Sequence, residues 1–165
     1  MLVLGIDPGS TVTGYGLVER IRGRYHLRTA GVVKTKSKDP IPLRLRQIYE
    51  GLCTVLELHQ PGVVSIEAIF RHKSSESALR LGQARGVALL AASQINVPIF
   101  EYNAMTVKKT VTGNGRADKT QVSRAVTMLT GQTPDLPHDA YDAIAIAITH
   151  LAHARHHAQE REHKR

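Results

Sequence analysis

The amino-acid sequence predicts an α/β domain built on a mixed β-sheet. Three observations lead there: three strand-like segments fall early in the chain, helical and strand-like periods alternate after them, and two short apolar runs each end at a carboxylate. Leu2 to Ile6 is a buried-strand run stopped by the breaker Asp7-Pro8-Gly9-Ser10. Val12 to Val18 and Tyr25 to Val33 are further strand candidates, with Arg22-Gly23 at the turn between them. From Leu43 to Leu58 the period changes. Leu45, Ile48, Tyr49, Leu52, Val55 and Leu56 recur at helical spacing, while Arg44, Gln47, Glu50, Thr54 and Glu57 are expected largely on the other side, and His59-Gln60-Pro61-Gly62 stops the helix. Val63 to Glu67 reads as another buried strand. Ser74 or Ser75 caps a helix running to about Asn96, and Val97 to Phe100 is a short strand. Asp118 caps a further helix, with Gln121 at the capping-box position, and the last long helix begins near Pro137.

A chain of 165 residues is one domain by length, with a substantial core. It is expected to span residues 1–154, followed by a polar, disordered or frayed tail over 155–165, where the sequence reads RHHAQEREHKR. No apolar run reaches membrane-spanning length, and the first residues lack the pattern of a signal peptide. The single Cys53 excludes an internal disulfide and fits a reducing cytoplasm. Twenty-two Lys and Arg against 14 Asp and Glu leave a formal charge of +8. Such an excess suggests a polyanionic partner, because each cation set on a phosphate releases a counterion.

The two acids at strand ends, Asp7 and Glu67, fall where α/β sheets collect their sites. Asp139 and Asp142, spaced i and i+3, share one face of the last helix's first turn. Asp7 on its own is explained equally well as a turn initiator, and the two late acids by the helix dipole. Glu67 is harder to explain away, because apolar residues flank it on both sides and an unpaired charge there is costly. Four carboxylates together call for cations, and Mg²⁺ prefers carboxylate oxygens and water.

Four stretches carry a family resemblance: GIDPGSTVTGYG (Gly5 to Gly16), SIEAIF (Ser65 to Phe70), SALRLGQARGVALLAA (Ser77 to Ala92) and HDAYDAIAIAITH (His138 to His150). In order and separation the chain resembles RuvC-type Holliday-junction resolvases over about residues 1–150, and the LGQARG segment is the most specific part. The resemblance implies an RNase H-like fold, a mixed five-stranded β-sheet flanked by α-helices. It also implies a homodimer that acts on four-way junction DNA in homologous recombination and repair, beside the branch-migration proteins RuvA and RuvB. Asp7, Glu67, Asp139 and Asp142 match the catalytic, metal-binding acids, and Asp139 rather than the adjoining His138 keeps the i, i+3 spacing to Asp142. The implied cofactor is Mg²⁺, two ions per site, with Mn²⁺ able to substitute. The implied reaction is symmetric nicking of two strands: a metal-activated water attacks phosphorus and leaves a 3′-hydroxyl and a 5′-phosphate.

Lys108 and Lys119 match lysines near the family's catalytic centre, and Phe70 matches an aromatic applied to opened junction bases. Arg71, His72, Lys73, Lys109, Arg116 and Arg124 would extend a basic DNA track, although each is also readable as a solvated charge. The helix after Ser77 is apolar or small almost all round, which suits a dimer partner or a wholly internal position. Thr112 to Gly115 lacks the Lys-Ser/Thr of a phosphate loop. His150, His153, His156 and His157 show no second shell for a soft metal. Rival readings are a sugar-kinase-like ATPase, for which one lobe is too few, an RNA-processing nuclease of the YqgF type, and a non-catalytic junction-binding module.

Overall fold

A computed structural model describes residues 1–68, 75–132 and 135–163, with side chains through 154. The strands are β1 (Leu2–Asp7), β2 (Val12–Ile21), β3 (Arg24–Lys34), β4 (Val63–Ala68) and β5 (Ile99–Asn103). The helices are α1 (Ile41–His59), α2 (Ser75–Ser93), α3 (Ala104–Thr112), α4 (Lys119–Thr130) and α5 (His138–His163). The sheet order is β3-β2-β1-β4-β5. β1, β2 and β3 form an antiparallel meander, whereas β4 lies parallel to β1 and β5 parallel to β4. Arg22 and Gly23 make the β2–β3 turn with φ of 48° and 84°, the positive values that primed hairpin turns require.

Period-two alternation divides the two faces of the sheet. Leu4, Ile6, Val64 and Ile66 pack with Ile48, Leu52 and Leu56 of α1 and Ala84, Ala88 and Ala91 of α2. Val3 and Val63 join the other core, with Ile144, Ile146 and Ile148 of α5, Val107 and Val111 of α3, and Val122 and Val126 of α4. Asp7 and Glu67 have the parity of Val3 and Val63, so both strand-end acids belong to the α5 side.

α5 sits unusually close to the sheet because β1 and β2 present glycines under it. A Cβ at Gly5 would lie 2.7 Å from the Ala147 amide nitrogen and closer still to the Ala143 carbonyl oxygen. One at Gly14 would lie 2.5 Å from the Asp139 carbonyl carbon and closer still to its oxygen. Real Cβ atoms do not approach other atoms so closely. Ser65 also reaches toward α5, its hydroxyl 3.4 Å from the Ile146 carbonyl. With α3 and α4 behind it, α5 is buried continuously from Ala143 to Leu151.

Several local expectations change. The backbone of α5 stays helical to His163, within the segment expected to be a frayed helix end or disordered tail. α2 ends at Ser93, and β5 starts at Ile99 rather than Val97, because Pro98 has no N–H to give and only its carbonyl serves the sheet, accepting from Val64 N at 3.0 Å. α3 was not anticipated; Asn103 caps it, its side chain accepting from Thr106 N at 2.7 Å. Arg44 is also corrected: it does not lie on the solvent side of α1 but is buried, at 8% exposure. The capping box at Asp118 and Gln121 forms with bonds of 2.8 and 2.9 Å.

Candidate active site

Three chain segments far apart in sequence meet at one cleft of about 350 Å³. β1 brings Asp7 at its end, with Pro8, Gly9 and Val12 of the following turn. β4 brings Glu67, and the first turn of α5 brings Asp139 and Asp142. Lys108 of α3 and Lys119, the first residue of α4, complete the polar lining; Ala104, Val107, Val122 and Ile146 form apolar walls. All four acids and both lysines expected from the sequence thus face a single space.

The acids strain against one another. Burial holds the Asp7 carboxyl well above the ordinary carboxylate range, and the charges of Glu67, Asp142 and Asp139 push it further, with a carboxyl–carboxyl hydrogen bond to Glu67. Asp142 is raised as well, chiefly by burial. Lys119 opposes this with its Nζ 3.9 Å from Asp142 Oδ2, Asp139 adds to it, and Lys108 and His138 oppose it. The charge of such a buried, mutually repelling set of acids is one that a divalent cation would offset.

The donor set is oxygen only, which suits a hard divalent ion and not a soft one. Among the described residues no three His, Cys, Asp or Glu side chains close round one metal position, the four acids included. That is the ordinary situation for Mg²⁺, which takes one or two carboxylates and fills its remaining positions with water and substrate phosphate oxygens. The residues therefore fit such an ion with its substrate, and do not form a closed structural cage.

The other sequence candidates distribute differently. Lys109, Arg116 and Arg124 are all exposed, on or just after α3 and on α4. Arg124 lines a separate cavity between α3 and α4, with Val111, Met128 and Leu129 among its walls. Phe70, Arg71, His72 and Lys73 lie outside the described residues. His138 is absent from the lining of the acid cleft, its Nδ1 3.3 Å from Ser123 Oγ. His150 Nδ1 lies 2.9 Å from the Tyr102 hydroxyl, and His153 Nε2 3.4 Å from Thr110 Oγ1. The glycines under α5 were missed as site builders. Their signal was present in the alternate spacing of Gly14 and Gly16 along a strand, where small residues gain nothing from the sheet itself.

A mixed sheet in this order, with acids on its two central parallel strands and more on the helix that crosses them, defines the RNase H-like nucleases. The family model for the crossover junction endodeoxyribonuclease RuvC matches residues 3–150. The enzyme of that name from Saccharophagus degradans is 47% identical over 150 residues, covering 91% of this chain and 87% of the relative. The one from Histophilus somni is also 47% identical, covering 90% and 78%. The Thermus thermophilus RuvC solved in complex with a Holliday junction substrate is 36% identical, with a TM-score of 0.86 over 94% of this chain and 95% of that one. The chain belongs to the RuvC family of crossover junction endodeoxyribonucleases.

Proposed function

We propose that this chain resolves four-way DNA junctions in homologous recombination and repair, nicking two strands symmetrically by hydrolysis that depends on divalent metal. One observation carries the reading: Asp7, Glu67, Asp139, Asp142, Lys108 and Lys119 share one cleft in a member of a junction-nuclease family. The four acids would hold Mg²⁺, as two ions, with Mn²⁺ able to substitute. Bound there, the metal would offset the acids' repulsion, lower the pKa of an attacking water and stabilise charge on the phosphate. Lys108 and Lys119 line the same cleft as the acids, where an ammonium attracts a phosphate oxygen and offsets charge developing on it. Lys119 also keeps Asp142 closer to its ionised state.

The exposed cations Lys109, Arg116 and Arg124, with Arg71, His72 and Lys73, make the phosphate track of the reading. Phe70 is its stacking residue for an unpaired base, a contact worth ~1–3 kcal/mol. A homodimer follows from the two-fold symmetry of paired nicks. α2 supports it: Leu79 and Leu90 are 59% and 55% exposed, and exposed Gly82 and Gly86 between them have open space above. Among the described residues no helix is long and apolar enough to cross a membrane. The same reading has the enzyme working in the cytoplasm on chromosomal DNA, beside a branch-migration complex of RuvA and RuvB type.

The test is a labelled four-way junction incubated with and without Mg²⁺, next to duplex DNA and structured RNA. Paired, metal-dependent nicks in the junction alone are expected. Glu67→Gln should bind the junction and fail to nick it. Cleavage of RNA in preference to the junction, or near-normal nicking by Glu67→Gln, would overturn the reading.

A further inference from the structure

Arg44 stands out among the buried groups. A guanidinium taken out of water is costly unless its donors are met, and it usually meets a carboxylate. Among the described residues Arg44 has no carboxylate within ion-pair distance; every acceptor it has is neutral. Nε lies 3.1 Å and Nη2 2.6 Å from the Ser10 carbonyl oxygen. Nη2 also donates to Ser10 Oγ and Thr11 Oγ1, each at 3.0 Å, and Nε to Thr35 Oγ1 at 3.3 Å. The Thr35 hydroxyl in turn donates to the same Ser10 carbonyl at 2.8 Å, and its backbone N–H to the Thr11 carbonyl at 2.9 Å.

These bonds converge on one short segment, the turn that leaves Asp7 and returns as β2. Its other side walls the acid cleft through Pro8, Gly9 and Val12. The turn has little slack. A Cβ on Gly9 would overlap the Val12 carbonyl, and the Thr13 hydroxyl donates back to the Gly9 carbonyl at 2.8 Å. Fixing Ser10 and Thr11 from behind therefore fixes the cleft wall in front, and with it the residue immediately before the turn, Asp7.

We infer that Arg44 is a positioning residue for the active site, a latch from α1 that holds the Asp7 turn in its working geometry through the Ser10 carbonyl. The inference rests on the proposed nuclease reading for its consequence, and on the bonding geometry for its mechanism. It is the planar fork that matters. Two guanidinium nitrogens reach four oxygens on three residues at once, which an ammonium on a flexible stem does not reproduce.

Arg44→Lys, Arg44→Gln and Thr35→Val test it, each compared with the wild type in single-turnover nicking at saturating junction and Mg²⁺, in junction affinity without metal, and in amide hydrogen exchange. Both Arg44 variants should nick ~10²-fold more slowly, the scale of an ångström-level misplacement of reacting groups. Junction affinity should hold, because Arg44 is buried away from solvent. The Thr35 amide should exchange faster, while core amides such as those of Leu4 and Val64 keep their protection. Thr35→Val, which removes one acceptor and one donor with little change of shape, should show a smaller loss in the same direction, and it decides the matter if the Arg44 variants do not fold. Full activity in Arg44→Lys would overturn the latch in favour of simple charge. Affinity falling in step with rate would make Arg44 a DNA contact instead, and normal nicking by a folded Thr35→Val would also overturn it. Should the wild type itself fail to nick junctions, the functional reading falls, and exchange at Thr35 still decides whether the latch exists.

Discussion

Replacing Gly14 by alanine tests the idea that backbone contact, rather than side-chain bonding, sets the acid pairs at their working separation. The new Cβ would stand 2.5 Å from the Asp139 carbonyl carbon, whereas ordinary contact begins near 3.4 Å. With the Asp139 carbonyl oxygen closer still, the first turn of α5 must lift by at least about 1 Å, carrying Asp139 and Asp142 away from Asp7. A shift of that size between reacting groups costs ~10²-fold in rate. Overpacking of a tight interface costs ~1–3 kcal/mol, which in a chain of this length lowers Tm by roughly 2–12 °C. The assay is nicking of a labelled junction by Gly14→Ala at a temperature where melting curves show it fully folded. Near-wild-type nicking, with Tm unchanged, would refute the claim that the glycine contact positions the acids.

Other outcomes follow from the same geometry. Asp7→Asn should abolish nicking yet raise Tm at neutral pH in the absence of divalent ions. With its folded-state value raised, Asp7 costs the native state stability as pH climbs from the ordinary carboxylate value near 3.8 through the raised one. The advantage of Asp7→Asn should vanish at low pH, where Asp7 is protonated in both states, and a variant less stable than wild type at pH 7 would contradict this. Leu90→Glu should sediment as a monomer, because Leu90 is exposed on the α2 face whereas Leu89 packs against the core; an unchanged dimer would move the interface elsewhere. Phe70→Ala should slow junction nicking with little change in Tm if Phe70 stacks on an opened base. A loss of stability of ~3–5 kcal/mol would mark it as a core residue instead.

The acids were legible as a set through the family motifs that contain them: taken singly, Asp7 also suits a turn and Asp139 and Asp142 a helix N-terminus, and only Glu67, flanked by apolar residues, lacked a ready structural reason. The central strands were legible as short, largely apolar runs buried on both faces. β5 and α3 were not. Ile99 to Asn103 mixes apolar and polar residues at an edge of the sheet, and α3 is nine residues long with only Val107 and Val111 buried. Arg44 was misplaced because helical periodicity sorts side chains by polarity, and a guanidinium whose Nε and Nη2 meet neutral acceptors breaks that sorting. The glycines under α5 carry no chemistry of their own, so the spacing of Gly14 and Gly16 along β2 takes its meaning only with the helix seated on them.

The assembly of the cleft from the two ends of the fold has a consequence for synthesis. Asp7 and Glu67 leave the ribosome well before Asp139 and Asp142, which lie on α5, the helix that docks against the glycines of β1 and β2. A nascent or truncated chain lacking α5 holds only half of the acid set, and its two central strands lack the cover of that helix. The acid site is therefore complete only once α5 has been made and seated on the sheet, so that the full acid set and the cover of that sheet face arrive together.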